Sequence, residues 1–360
     1  MIAQSQALAI PLLFLLACTN LSSPSAAQDC ALCEHSSPEF WVVNSRCAPR
    51  CNNLDEGFEA LTYKRWCAES NCFVDQSRET LLEAQAQLPT LIFVHGNSLD
   101  HKHAMKSAWK IYERLRVCPG PKLFVFWSWP AEWVHKRPLI TPIKLVRKNI
   151  RTKYNYSERQ GYYLAKLAQQ MSTELPLTLG GHSFGATCSV VAAHYLGGGR
   201  LNGQTLAGGS PDERINLRLS LISPAMDNDH LYPGHRYEMA AYPVEKIHTT
   251  YNTKDATLKR WPIQSCRAQQ AMGYTGICAS RLEANSHKLC QQLLTEDVGR
   301  SHYMKEHLAS ARMISQVCQT AFGSSPTGSC TCGGSPKRVK VDVENILKAP
   351  ARAIVPSIGL

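Results

Sequence analysis

The chain has 360 residues, of which 44% are hydrophobic and 19% charged, and it carries a formal net charge of +11. These proportions exclude a disordered chain and are enough for one large core or two small ones. After the N-terminus no stretch is long and apolar enough to span a bilayer as a helix.

Residues 7–17 (ALAIPLLFLLA) form an export-type apolar core, too short for a comfortable membrane span. Two cleavage sites follow. Ser25-Ala26-Ala27 fits an ordinary signal peptidase and would leave Gln28 first, giving a signal peptide of residues 1–27. Leu15-Leu16-Ala17-Cys18 resembles a lipobox, which would leave a lipid anchor on Cys18. Residues 1–6 lack the Lys or Arg that both routes prefer. The expectation is an exported protein, periplasmic or extracellular, with the anchor left open.

Fifteen cysteines are far more than a cytosolic protein of this size carries. Cys30, Cys33, Cys47, Cys51, Cys67 and Cys72 crowd residues 28–75, a cysteine-rich segment that merges into the following domain. Cys266, Cys278 and Cys290 form a second group, and Cys330 and Cys332 sit in the tail. Disulfides are the leading expectation. Zinc at residues 30–51 is the lesser one, and connectivity is not legible.

Strands are predicted at residues 40–45, 58–63, 90–94, 122–127, 175–180, 217–222 and 246–251, the last closing the set. Residues 90–94 (TLIFV) are continuously apolar, as an interior parallel strand requires. Helices are predicted at 105–117 and 186–193. A further one starts at Ser157, whose spacing to Gln160 reads as a capping box, with Leu164, Leu167, Ala168 and Met171 on one face. Gly197-Gly198-Gly199 stops the helix after 186. The alternation implies an α/β domain over residues 38–318, with a mostly parallel sheet covered by helices on both faces. Residues 319–360 read as a flexible basic tail.

Gly181-His182-Ser183-Phe184-Gly185 lies between an apolar strand and a small-residue helix. A serine at such a corner sits on a sharp turn that lifts its hydroxyl out of the sheet, and Gly181 and Gly185 relieve crowding. That hydroxyl is a poor nucleophile without a histidine to take its proton, a carboxylate to orient the histidine and donors for an oxyanion. Asp255 follows the last predicted strand, and Asp227 follows the one before it as the alternative acid. His302 lies late, on a loop just after Gly299, and is the predicted base. His307 falls in the helical stretch that follows it, and His287 precedes it in a cysteine-bearing segment. His95-Gly96-Asn97 ends the strand at 90–94.

This order of His-Gly loop, serine elbow, acid and histidine resembles the α/β-hydrolase superfamily, in particular exported bacterial serine hydrolases of the esterase or lipase type. The resemblance implies Ser183, Asp255 and His302 as a catalytic triad, and the N–H groups of Asn97 and Phe184 as the oxyanion hole. His95, Gly96, Gly181 and Gly185 would support the motifs. It implies a carboxylic ester, small or lipid-like, cleaved through an acyl-enzyme, with no cofactor and no metal. An amide or thioester bond on the same triad is the alternative, as is a non-catalytic, disulfide-stapled envelope protein that only binds.

His182 reads as packing. Residues 100–103 (DHKH) read as a polar helix start rather than a metal site, and Trp127 and Trp129 suit an acyl pocket or the core equally. The basic stretches at 102–116 and 136–153 have no nucleic-acid motif beside them, so no nucleic-acid partner is expected. A solvated basic face is the first reading. Peripheral association with anionic envelope polymers or lipid headgroups is the second. The oligomeric state is not legible.

Overall fold

The computed structural model describes residues 39–48, 53–134, 143–212, 216–261 and 269–323. The export leader with both cleavage sites, Cys30, Cys33, Cys51, Cys266 and the tail from residue 324 lie outside the described residues. In chain order the elements are β1 (Glu39–Asn44), α1 (Leu54–Glu59), β2 (Thr62–Cys67), β3 (Cys72–Gln76), α2 (Arg78–Gln87), β4 (Thr90–Val94), α3 (His101–Leu115) and β5 (Leu123–Ser128). Then come α4 (Ile143–Gln170), β6 (Leu177–His182), α5 (Phe184–Leu196), β7 (Leu217–Ile222), β8 (Lys246–Tyr251), α6 (Met272–Thr275), β9 (Leu289–Leu293), α7 (Thr295–Val298), α8 (Met304–Ala309) and α9 (Ala311–Phe322).

The strands form one sheet in the order β3-β2-β1-β5-β4-β6-β7-β8-β9. Only the β1–β2 and β2–β3 pairs are antiparallel. The remaining pairs run parallel. β4 shows why the centre holds. Ile92 and Val94 face α4 and α5 in one core, while Leu91 and Phe93 face α3 and α9 in the other. Each such side chain contributes about 1.5–3 kcal/mol on full burial, so a strand apolar on both faces is fixed between two helical layers. This is the α/β-hydrolase fold.

Four sequence expectations need correction. Residues 58–63 are not one strand. Asn53 caps α1 by accepting from the Glu56 amide at 3.2 Å, Phe58 is buried as a helix residue, and the strand begins only at Thr62. β8 does not close the set, because β9 pairs parallel to it from Ile247↔Leu289 onward. Ser157 does not start a helix. α4 passes straight through it, and the Ser157 hydroxyl bonds back to the Tyr154 carbonyl at 2.6 Å. β3, which pairs with β2 as an edge hairpin, was not expected at all.

One disulfide is present among the described residues. It joins Cys118, after α3, to Cys318 in α9, with 5.2 Å between Cα atoms. Against the expectation of bridges, Cys47, Cys72 and Cys278 are free thiols, as is Cys188 in α5, where burial pushes its pKa well up. No described helix is long and apolar enough to cross a membrane.

Candidate active site

The parallel strands deliver their carboxyl ends to one edge of the sheet, where α/β proteins gather chemistry. β6 ends at His182, and Ser183 turns the chain into α5 with φ 57° and ψ −120°. A positive φ strains a non-glycine residue and persists only where its surroundings hold it. Here the Ser183 amide donates to the Ile222 carbonyl at 3.0 Å, and its carbonyl accepts from the Ala225 amide at 3.3 Å. The flanking glycines are required by close approach. A Cβ on Gly185 would lie 2.0 Å from the Val94 carbonyl oxygen, and one on Gly181 would lie 2.4 Å from the Gly185 carbonyl carbon.

Ser183, His302 and Asp255 meet. Nδ1–H of His302 donates to Oδ2 of Asp255 at 2.6 Å, which leaves Nε2 as the acceptor for the Ser183 hydroxyl at 2.9 Å. The acid is sealed from solvent (0%) while the base keeps 14% of its side chain exposed. Asp255 is held as an acceptor at its other oxygen by the amides of Thr257 (2.9 Å) and Leu258 (2.8 Å). The histidine loop is tied to the acid loop twice. The Ala256 amide donates to the Arg300 carbonyl at 3.1 Å, and the Asn252 side-chain amide donates to the Gly299 carbonyl at 2.8 Å. Gly299, at φ 63°, makes the turn before His302.

Phe184 is the first residue of α5, and the first amides of a helix have no intrahelical acceptor. Gly96 abuts the elbow, since a Cβ there would lie 2.9 Å from Nδ1 of His182 and 3.4 Å from Cβ of Ser183. Asn97 follows Gly96 in this loop, and its side-chain Oδ1 is buried without a partner. His95 holds this loop. Its Nδ1–H donates to the Gly96 carbonyl at 2.7 Å, and its Nε2 accepts from the Trp129 amide at 3.2 Å. Buried and stacked between Phe126 and Trp129, it has a pKa pushed down to about 3 and stays neutral. Trp129 Nε1–H donates to the His95 carbonyl at 2.8 Å. Trp129 and Trp127 are both fully buried, so they support the loop and the core and do not line an open acyl pocket.

A second serine–histidine pair lies behind the first. The Ser223 hydroxyl donates to Nε2 of His307 at 2.8 Å, and Nδ1–H of His307 donates at 2.9 Å to the carbonyl of Tyr303, the residue after the base. Ser223 follows β7 with φ 44°. His182 fills the space between the histidines, its ring 4.9 Å from His302 and 5.5 Å from His307. Burial, and then the neighbouring imidazoles, keep His182 far below the ordinary histidine range. Sequence reasoning did not single out Ser223, and placed His307 only as a helix residue. The five-residue spacing from His302 is the one hint it offered.

Asp227 does not touch the base. Its Oδ1 accepts from Nε1 of Trp261 at 2.5 Å, and its Oδ2 lies 3.3 Å from Nε2 of His230. With Asp229 these form the single metal-capable cluster among the described residues, ligand atoms within 4.8 Å of one another. Asp229 is in turn 3.1 Å from Nδ1 of His235. Asp100 caps α3, its Oδ1 accepting from the His103 amide at 2.8 Å, so residues 100–103 are a helix start.

No protein-family model and no curated protein matches the chain. Among solved structures it is similar to acyl-protein thioesterase 2 of Zea mays, with 14% identity over 64% of this chain and 91% of that one, and a TM-score of 0.36. It is also similar to a cutinase-like protein from Cryptococcus sp., with 12% identity over 65% of this chain and 96% of that one, and a TM-score of 0.27.

Proposed function

We propose that the protein is a serine hydrolase of carboxylic esters that works through an acyl-enzyme. The observation that carries this reading is the continuous hydrogen-bond chain Ser183–His302–Asp255, with distances of 2.9 and 2.6 Å. The serine hydroxyl attacks the acyl carbon while Nε2 of His302 takes its proton. Asp255 fixes the imidazole and stabilises the imidazolium without taking a proton itself. The tetrahedral oxyanion is met by the N–H groups of Phe184 and Asn97, and the positive end of α5 lies beneath it. His302 then gives its proton to the leaving alcohol, and water repeats the sequence in reverse to free the acid.

Outside the cytoplasm is the location this reading favours, supported by the export leader in the sequence and by the Cys118–Cys318 bridge. The test is labelling with a fluorophosphonate, followed by turnover of matched ester, thioester and amide substrates. Labelling that is lost in Ser183→Ala, with ester turnover foremost, supports the reading. Equal labelling of wild type and variant sinks it, and a preference for the amide or thioester reassigns the bond.

A further inference from the structure

α4 leaves the carboxyl edge of β5 and runs back to the start of β6, so its first half lies on the edge of the sheet that carries Ser183. It is joined to the oxyanion loop. Lys153 Nζ donates to the Pro130 carbonyl at 2.6 Å, and the adjacent Trp129 bonds the His95 carbonyl. Along this half, Lys144, Arg147, Lys148 and Arg151 are exposed. Their i, i+3, i+4, i+7 spacing places all four on one face. Residues 143–157 contain no Asp or Glu, and none of the four cations makes an ion pair among the described residues.

Other surface cations divide: Lys102, Lys106 and Lys110 on α3 are also exposed without an ion pair among the described residues, while several elsewhere are paired. Lys64 faces Asp75 at 2.9 Å, Lys254 faces Glu296 at 3.1 Å, and Arg312 faces Asp297 at 2.6 Å. Lys144 also stands in the first turn of α4, which has no acidic residue and where the helix dipole disfavours positive charge. Like charges gathered against the dipole destabilise the free protein, and an anionic plane would relieve both effects at once. Nucleic acid fits less well. No nucleic-acid recognition motif accompanies the face, and of the tyrosines that follow it Tyr154, Tyr162 and Tyr163 are buried and Tyr156 is half-buried, which leaves no open stacking platform.

We propose that this face of α4 seats the protein on an anionic phospholipid bilayer, with ester lipids reaching Ser183 from that surface. The substrate half rests on the ester-hydrolase reading, and the docking half does not. Each lysine or arginine near such a surface adds an increment that multiplies affinity several-fold. The full chain is mixed with vesicles of phosphatidylglycerol and phosphatidylcholine, or of phosphatidylcholine alone, and sedimented. The wild type should bind the anionic vesicles and release from them at about 1 M salt, where the screening length falls to about 3 Å. Lys144→Gln/Arg147→Gln/Lys148→Gln/Arg151→Gln should weaken that binding by about two to three orders of magnitude. The same variant should turn over a short soluble ester at the wild-type rate, which also reports its folding. Because the variant keeps every other cation of the chain, the loss would locate the contact on α4. Equal binding of wild type and variant, binding that does not depend on lipid charge, or tighter binding to a DNA duplex at the same salt overturns the docking face. A wild type that binds vesicles but cleaves no ester overturns the hydrolase reading alone.

Discussion

Two serine–histidine pairs stand side by side at the edge of the sheet, and their local geometry is nearly the same. Ser183 follows β6 and Ser223 follows β7, with φ of 57° and 44°. The hydroxyl–imidazole distances are 2.9 and 2.8 Å. What separates them is the group behind each imidazole and the access in front. His302 is backed by the carboxylate of Asp255 and is partly open, whereas His307 is backed by the Tyr303 carbonyl and is sealed. A carboxylate stabilises an imidazolium, while a neutral carbonyl in a buried site does so only weakly. A thirteen-residue helix also follows Ser183 directly, and no helix follows Ser223 directly. On the proposed reading, therefore, the contact alone does not make a nucleophile: the first pair would gain charge in the reaction, while the second stays neutral as a brace between β7 and the loop of His302.

The largest expected effect separates the two hydroxyls. Ser183→Ala should lower kcat by about a millionfold and remove probe labelling. Ser223→Ala should keep its labelling and stay within about tenfold of wild-type kcat/KM. Loss of labelling in the second variant would make the brace part of the chemistry.

Asp255→Asn makes the first pair resemble the second, with a neutral group behind the imidazole. A loss of about 10⁴-fold in kcat is expected, against less than tenfold for Asp227→Asn. The opposite ranking, measured on one ester, would move the acid to the end of β7.

The neutral pair has a signature in stability against pH. Burial holds His307 and His248 down to about 4 and His95 to about 3. In the unfolded chain these groups bind protons from about pH 6.5 downward. The unfolded state thus takes up protons that the fold refuses. Stability is intact above about pH 6.5 and falls as pH drops toward 4, by about 1.4 kcal/mol per unit for each group. Urea unfolding of His307→Gln at pH 7 and pH 5 should show a smaller difference than wild type. An equal difference would mean that His307 is protonated in the fold.

The smallest effect is structural. Ser223→Ala leaves Nε2 of the buried His307 without a donor, a loss of about 1–3 kcal/mol. Denaturant midpoints measure it, and an unchanged midpoint would mean that the brace bears no load.

The parts of the site carried by local rules were legible in the sequence. The elbow needs glycines at two contacts closer than 2.5 Å, so its pattern is compulsory. Asp255 follows a predicted parallel strand and His302 lies late, on a loop just after Gly299, and that is enough to nominate them. The brace was hidden, because nothing local requires a hydroxyl at Ser223 or an imidazole at His307. Only the tertiary fold, which brings α8 to the residue after β7, makes them partners. β9 was obscured for a related reason. Its sequence LCQQL is half polar, as an edge strand can be, and Gln291 spends its side chain on the backbone of Ile277. Residues 58–63 misled because Phe58 and Leu61 are apolar at a spacing that suits one turn of helix as well as a strand.

The bridge between Cys118 and Cys318 closes a covalent ring with a sequence separation of 200, and Ser183, Asp255 and His302 all lie inside it. The loop of His95 to Asn97 lies outside, on the N-terminal arm. A protease that cuts one exposed loop between those cysteines would open the ring without releasing anything. The nucleophile could then sit on one fragment and the base on the other, still tethered through sulfur. Such a nicked molecule would migrate as a single species until a thiol was added, so one cut in that stretch would leave the parts of the site on one covalent assembly.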